Sequence, residues 1–70
     1  MEKITAPIPG NIVSITVKVG QTTKVGQKIL ILEALKMQNE IFCKEAGTVK
    51  EILISEGAKV KAGQTLVVLE

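Results

Sequence analysis

Hydrophobic and polar residues alternate along this chain in short stretches that glycines separate. From residue 13 to residue 19, Val and Ile at odd positions alternate with Ser, Thr and Lys at even positions. This two-residue period predicts a β-strand with one buried face. Two further runs, residues 29–32 and 66–69, are apolar at every position, which predicts short strands that are covered on both faces.

The chain repeats itself with a period of 37 residues. Residues 1–33 align with residues 38–70 without a gap, and nine of the 33 aligned pairs are identical. A half of this size cannot cover its own apolar face, so we expect the halves to pack on each other about a pseudo-two-fold axis. Ile, Val and Thr, which favour strands, supply 23 of the 70 residues. The sequence therefore predicts a single all-β domain, residues 1–70, built as a flattened barrel or sandwich.

Turns between the predicted strands carry glycines at repeated positions. Tight turns need a positive φ angle, which glycine adopts without steric cost. The glycines expected at such turns are Gly20, Gly26, Gly57 and Gly63.

Four residues between the halves have no counterpart in the repeat. If the strand that ends at Glu33 turns directly into the next strand, these four residues form a hairpin connection. Its symmetry partner is the junction of the chain ends, so we expect the turn to lie opposite Met1 and Glu70. A short helix over residues 33–38 is the alternative, but a helix of that length is marginal and this one has no capping residue. The four residues are Ala34, Leu35, Lys36 and Met37.

Composition argues against several classes of function. The chain has nine lysines, seven glutamates and a net charge of +2, but no His, Arg, Asp, Trp or Tyr. Without histidine it lacks the usual base for Ser or Cys nucleophiles, so a self-contained enzyme is not expected. The chain lacks the ligands for a metal site. It also lacks arginine and, apart from Phe42, aromatic residues that could stack on bases, so nucleic acid is not an expected partner.

Cellular location follows from the same inventory. Cys43 is the only cysteine and cannot form an intrachain disulfide, which indicates a reducing compartment. No apolar run reaches the roughly 18 residues of a membrane span. We therefore expect a cytoplasmic protein in which Cys43 and Phe42 belong to the core.

Residues 35–37, in the predicted turn, are not the residue types that turns favour. Turns favour Gly, Asn, Asp and Pro, whereas this one offers Leu35, Lys36 and Met37. An exposed lysine offers an amine for covalent attachment by a separate enzyme, because lysine amines are protonated at neutral pH. The two apolar neighbours would then dock that enzyme or the attached group. The alternative is an ordinary solvated lysine between neighbours that fold back onto the core. An ion pair of Lys36 with Glu33 or Glu40 would contribute little stability at the surface.

Three motifs resemble the biotinyl and lipoyl attachment domains, specifically the biotin carboxyl carrier type. Residues 6–10, Ala-Pro-Ile-Pro-Gly, resemble the opening Ala-Pro-Met-Pro-Gly of that family. Residues 33–37, Glu-Ala-Leu-Lys-Met, resemble its attachment motif Glu-Ala-Met-Lys-Met, and residues 57–66 resemble its closing turn and strand. The resemblance implies a barrel-sandwich hybrid of two four-stranded antiparallel sheets with pseudo-two-fold symmetry.

The resemblance also implies a function and a site. Lys36 would carry biotin in amide linkage, and Glu33, Ala34, Leu35 and Met37 would flank it for recognition by a biotin protein ligase. The domain would catalyse nothing itself and would carry a carboxyl group between biotin carboxylase and carboxyltransferase or decarboxylase components. The family usually has methionine at position 35.

Two alternatives to a biotin carrier stay open. One is a lipoyl carrier, although lipoyl domains typically present Asp-Lys-Ala at this tip. The other is an unmodified interaction module. The isolated domain is expected to be monomeric, and either an excised domain or a small standalone subunit fits its length.

Overall fold

All regular secondary structure in the computed structural model is β-strand, and the model describes residues 2–70. Met1, the first residue of the predicted first half, lies outside the described residues. Within the described range, no helix is present that could cross a bilayer. The strands are β1 (Glu2–Thr5), β2 (Gly10–Ile15), β3 (Thr22–Thr23), β4 (Lys28–Ala34), β5 (Met37–Phe42), β6 (Gly47–Ile52), β7 (Lys59–Val60) and β8 (Thr65–Leu69).

The strands form two antiparallel sheets of four, in the orders β1-β8-β6-β3 and β5-β4-β2-β7. Each sheet takes two strands from each half of the repeat. The 37-residue offset converts β2 into β6 and β3 into β7 with the same bounds, and it converts one sheet order into the other. The predicted all-β fold with pseudo-two-fold symmetry is therefore confirmed.

The two apolar runs form the centre of the core. Ile29, Leu30 and Leu32 have no exposed surface, and neither do Leu66 and Val67. Each such side chain contributes roughly 1.5 to 3 kcal/mol of burial free energy. The prediction that these runs are covered on both faces is confirmed for residues 66–69, whereas in residues 29–32 Ile31 is only half-buried. The predicted burial of Cys43 is confirmed.

The strand predicted over residues 13–19 is shorter and differently oriented. β2 ends at Ile15, and a bulge lies between Ile12 and Ser14. Because a bulge adds one residue to one strand, it exchanges the faces on which alternate side chains lie. Ile12 is consequently buried while Val13 is 39 % exposed, and Val19 lies beyond the strand in solvent. The predicted buried face is therefore wrong at Val13 and Val19, whereas Val17 is buried and Ile15 packs against the core, as predicted.

Phe42 is not a core residue, although the sequence predicted one. It ends β5, an edge strand, and is 49 % exposed, whereas its neighbour Ile41 packs against the core. Successive side chains of a strand point to opposite faces, so only one of these two apolar residues can face inward.

The predicted glycine turns are confirmed, since Gly20, Gly26, Gly57 and Gly63 have φ angles between 81° and 91°. Three of these glycines are followed by glutamine, and the glutamine side chain closes the turn. Its Oε1 accepts a hydrogen bond from the backbone N–H three residues earlier, at 3.0 to 3.1 Å. The repeated Gly-Gln pair is thus a turn signature.

Candidate attachment site

A two-residue hairpin joins β4 to β5. Ala34 and Met37 are cross-strand partners that close it, and Leu35 and Lys36 form its loop. The φ angles of the loop residues are 54° and 63°, as in the type I′ turn that matches the twist of antiparallel strands. The predicted hairpin connection is confirmed, and the alternative helix is wrong.

Leu35 and Lys36 are the only non-glycine residues with positive φ among residues 2–70. A side chain in this conformation costs roughly 1 to 2 kcal/mol for each residue, and type I′ turns favour Asn-Gly for that reason. The loop therefore carries two residues that oppose its own geometry. Its sequence serves something other than folding stability.

The loop places its side chains in solvent. Leu35 is 90 % exposed and Met37 is 67 % exposed, so the alternative in which both fold back onto the core is wrong. Lys36 is exposed and forms no ion pair with residues 2–70. Glu40, one of its suggested partners, instead lies 3.2 Å from Lys28. The lysine amine is thus accessible between two apolar side chains.

Two other predicted site residues lie at the base of the hairpin. Ala34 is buried, and Glu33 is exposed as the cross-strand partner of both Gln38 and Asn11. An open cleft of about 280 Å³ lies between residues 9–11 and residues 33–36. The structure therefore brings all five predicted residues to one end of a single hairpin, next to the Pro-Gly of the opening motif.

Gly10 explains part of the opening motif. A Cβ atom at this position would collide with the backbone carbonyl oxygen of Glu33. Only glycine allows β2 to approach the base of the hairpin this closely. The sequence resemblance marked Gly10, but the reason for it is visible only in the fold.

Asn39 is a site residue that the sequence analysis missed. Its Nδ2 donates hydrogen bonds to the carbonyl oxygens of Leu32, at 3.4 Å, and Met37, at 3.3 Å. The bond to Leu32 ties β5 to β4, and the bond to Met37 braces β5 itself next to the loop. Asparagine is uncommon inside strands, and that was the one available signal.

The geometry is that of a presented amine rather than a catalytic centre. Within residues 2–70 no three acidic or cysteine side chains gather to hold a metal ion. A lysine on a braced hairpin can be acylated at Nζ by another protein, since nothing around it obstructs approach. These residues fit a group held by an amide bond at Lys36.

Comparison with known proteins identifies the family. The sequence model of the family described as "Biotin-requiring enzyme" matches residues 2–69. The chain belongs to this family. Membership confirms the predicted biotinyl type of domain, and it confirms biotin as the cofactor of the type.

Relatives of this family member include a carboxyl carrier protein and a decarboxylase subunit. The biotin carboxyl carrier protein of Streptococcus mutans is 47 % identical over 64 residues, which are 91 % of this chain and 49 % of that protein. The methylmalonyl-CoA decarboxylase gamma subunit of Veillonella parvula is 50 % identical over 50 residues, 71 % of this chain and 39 % of that subunit. The chain thus spans about half, or less, of these relatives.

A solved carboxylase structure contains the same fold. The urea carboxylase of Kluyveromyces lactis superposes with a TM-score of 0.92 and 26 % identity, covering 99 % of this chain and 6 % of that enzyme. The match extends over the whole sandwich, so the fold of this biotinyl-type domain is that of a carboxylase domain.

Proposed function

We propose that this chain is the biotin carboxyl carrier domain of a biotin-dependent carboxylase or decarboxylase and that Lys36 holds the biotin. The observation that carries the proposal is the exposed Lys36 on a strained two-residue loop between exposed Leu35 and Met37. Family membership and the named relatives support the carrier function.

For biotin attachment, this chain needs only to hold the Lys36 amine where a ligase can reach it. The Lys36 ammonium group loses one proton to become a nucleophilic amine, and Nζ attacks the activated carboxyl carbon of biotin. The activating group leaves as the amide bond forms, and Nζ loses a second proton, so that the amide is neutral. The net charge of the chain falls from +2 to +1. Leu35 and Met37 offer apolar contacts to the ligase, and β4 and β5 hold the amine away from the body of the domain.

Biotin, when bound, supplies a ureido nitrogen that accepts and releases a carboxyl group. The role of the chain is to position the attached biotin at the tip of the hairpin. Glu2 contacts the backbone of Lys44 and Glu45, beyond the far end of β5, which spans roughly 20 Å at 3.3 Å for each residue. The hairpin tip and the start of β1 therefore lie near opposite ends, as the repeat predicted, so a connection at β1 leaves the tip free to visit two active sites.

The proposal includes partners and location. A biotin protein ligase modifies Lys36, and carboxylase and carboxyltransferase or decarboxylase components receive the domain. The domain is monomeric in isolation and works in the cytoplasm, where its single buried Cys43 stays reduced.

Mass spectrometry tests the site directly. After co-expression with a biotin ligase and free biotin, the intact chain should gain the mass of biotin minus water, and peptide mapping should place that gain on Lys36. Lys36→Arg should abolish the gain. Lys44→Arg, which removes another exposed lysine, should leave it unchanged.

A folded chain that gains no mass, with the ligase active on a control substrate, would contradict the proposal. Incubation with a lipoate ligase would then distinguish the two remaining hypotheses, a lipoyl carrier and an unmodified interaction module. A gain of lipoate would make the domain an acyl carrier, and no gain would leave an unmodified interaction module.

A further inference from the structure

The sheet that contains the hairpin, β5-β4-β2-β7, carries a strip of apolar side chains on its outer face. Val13 lies in the bulge of β2 and is 39 % exposed, and Phe42 on β5 is 49 % exposed. Ile31 lies on β4, between those two strands, and is half-buried. Its cross-strand partners are Ser14 on β2 and Glu40 on β5. Because cross-strand partners share a face, the apolar strip of Val13, Ile31 and Phe42 crosses three neighbouring strands.

The opposite sheet shows that the fold does not require this strip. The 37-residue offset places Val13 on Lys50 and Phe42 on Thr5. Both counterparts are exposed and polar, and Lys50 lies in the equivalent bulge of β6. Since the two sheets have the same strand order and the same bulge, polar residues serve the fold at these positions. Exposed apolar residues that the fold does not need are typical of a surface that a partner covers.

The valine in the bulge also leaves a carboxylate without an internal partner. On the opposite sheet, Lys50 lies 3.5 Å from Glu70. The offset places these two residues on Val13 and Glu33, so Glu33 has no lysine at the equivalent position. Glu33 is exposed and forms no ion pair within residues 2–70. The outer face of the hairpin sheet thus combines uncovered hydrocarbon with a carboxylate whose counterpart is neutralised inside the domain.

The position of the reacting atom selects the partner. A ligase must bring Lys36 Nζ into its own active site, and Nζ lies only one lysine side chain from the loop backbone. A component that receives the attached biotin instead meets the ureido group, which lies beyond a further flexible chain. Of the proposed partners, the ligase is therefore the one that must lie against the hairpin and the strands behind it.

The size of a protein interface brings the apolar strip within reach of such a ligase. A specific interface covers about 800 Å² on each partner, which is a disc with a radius of roughly 16 Å. Ile31 precedes Leu35 by four residues along the hairpin, or roughly 13 Å at 3.3 Å for each residue. Val13 lies beside Ile31, and Phe42 lies five residues beyond Met37, or roughly 16 Å. A disc centred on the hairpin loop therefore covers most of the strip and reaches Phe42 at its rim.

We propose that the outer face of the hairpin sheet is the surface on which the biotin protein ligase docks. The apolar strip contacts an apolar surface of the ligase, and Glu33 pairs with a cationic side chain of the ligase. The inference rests on the proposed function and deepens it, because it extends ligase recognition from the Lys36 loop to three strands of one sheet. The outer face of the opposite sheet stays in solvent.

Steady-state kinetics of the ligase test the docking surface. Val13→Lys combined with Phe42→Thr gives this face the residues of its counterpart. We expect the ligase KM for this variant to rise by about tenfold or more, because central apolar contacts dominate binding, while kcat stays within about twofold. At saturating ligase, Lys36 should still gain the full mass of biotin minus water. Amide chemical shifts away from the two substitutions check that the variant is folded.

Two control variants separate the surface from general effects of composition and charge. Val25→Lys combined with Leu53→Thr makes the same change of charge at residues that are 70 % and 48 % exposed and lie outside the strands. Lys50→Val combined with Thr5→Phe builds the apolar pair on the opposite sheet. Each control should leave the ligase KM within about twofold of that of the original chain.

A binding measurement locates the surface without catalysis. The ¹⁵N-labelled chain is titrated with unlabelled ligase in the absence of ATP, so that no biotin is activated. Amide signals of residues 11–14, 31–33 and 40–42 should lose intensity together with those of the hairpin loop. Signals of residues 48–51 and 67–70, on the opposite sheet, should persist.

The outcomes that contradict the docking surface are distinct from those that contradict the proposed function. An unchanged KM in the Val13 and Phe42 variant, or an equal rise in the Val25 and Leu53 control, overturns the inference. Signal loss confined to residues 34–37 does the same. In each of these cases Lys36 is still modified and the proposed function stands, whereas an original chain that gains no mass overturns both.

Discussion

Leu35 and Lys36 show at the scale of single residues how a functional requirement displaces a folding preference. Both adopt left-handed backbone conformations with φ of 54° and 63°, where Asn and Gly are the favourable choices. Strain of this kind persists only where the surroundings impose it. Here β4 and β5 impose it, with Asn39 bonded to the carbonyl oxygens of Leu32 and Met37.

Replacing Leu35 by Asn should therefore stabilise the domain and impair its modification. The free energy of unfolding should rise by about 0.5 to 1 kcal/mol, because asparagine tolerates this backbone conformation better. Urea unfolding measures the gain, and the ligase kcat/KM should fall because an apolar contact is lost. Leu53→Asn is the control, since Leu53 is also exposed but has no positive φ. A similar gain in both variants would contradict the role of the backbone.

Gly10→Ala should destabilise the domain. The new Cβ would overlap the carbonyl oxygen of Glu33, so β2 must move away from the base of the hairpin, at a cost of about 1 to 3 kcal/mol. Thermal unfolding measures the loss. Gly47→Ala is the matched test at the symmetry-related position, where the Cβ would lie 2.7 Å from the carbonyl oxygen of Glu70, and the smaller overlap should give a smaller loss. Equal stability of the Gly10→Ala variant and the original chain would show that the close approach is not needed.

The two halves of the repeat use different hydrogen bonds at the position that follows the start of β5 and its equivalent in β1. The 37-residue offset places Asn39 on Glu2. Asn39 donates from its side chain to two carbonyl oxygens beside the loop, whereas the Glu2 carboxylate accepts from the N–H groups of Lys44 and Glu45. Equivalent positions thus brace opposite ends of the molecule by opposite chemistry.

This pair of positions allows a controlled test of hairpin bracing. Asn39→Ala and Glu2→Ala should each lower the free energy of unfolding by about 1 kcal/mol through lost hydrogen bonds. Only Asn39→Ala should speed amide exchange at residues 35–37 and raise the ligase KM. Faster exchange of those amides in Glu2→Ala would mean that the two ends of the domain are coupled and that Asn39 has no local role.

Element positions were more predictable than the faces of strands. The repeat, the two apolar runs and the turn glycines follow from period and composition, and the structure confirms them. The bulge between Ile12 and Ser14 has no such signature, and it reversed the predicted face of Val13. The exposure of Phe42 depends on β5 being an edge strand, which is a property of sheet order that no local pattern contains. The role of Asn39 likewise depends on register, because its partner Leu32 lies on another strand.

At the scale of the whole molecule, the two halves of the repeat interlock, because each sheet contains strands from both halves. Each half of the repeat contributes two strands to each sheet, so neither half contains a complete sheet or a complete core. The core residues Ile12 and Ile29 from one half pack with Val49 and Leu66 from the other. The stability of the fold therefore requires both halves of the repeat together.

Isolated fragments of residues 1–33 and 38–70 should each be unfolded, and an equimolar mixture should recover β-structure. Circular dichroism and the dispersion of amide chemical shifts measure both states. The reason is that separation exposes the apolar faces that each half lends to the other. Cooperative unfolding of a single fragment would refute this interlocking account.

The pairing of Glu2 with Leu69 gives the molecule a simple topological description. The strand pair β1 and β8 is the symmetry equivalent of β5 and β4, so the end of the domain where Glu2 pairs with Leu69 corresponds to the end that carries the hairpin. The fold thus consists of two equivalent sets of four strands, each with the same kind of antiparallel pair at one end of the domain. An engineered four-residue connection between β8 and β1 would therefore form a second hairpin, and a lysine in its loop would give the domain a second attachment site.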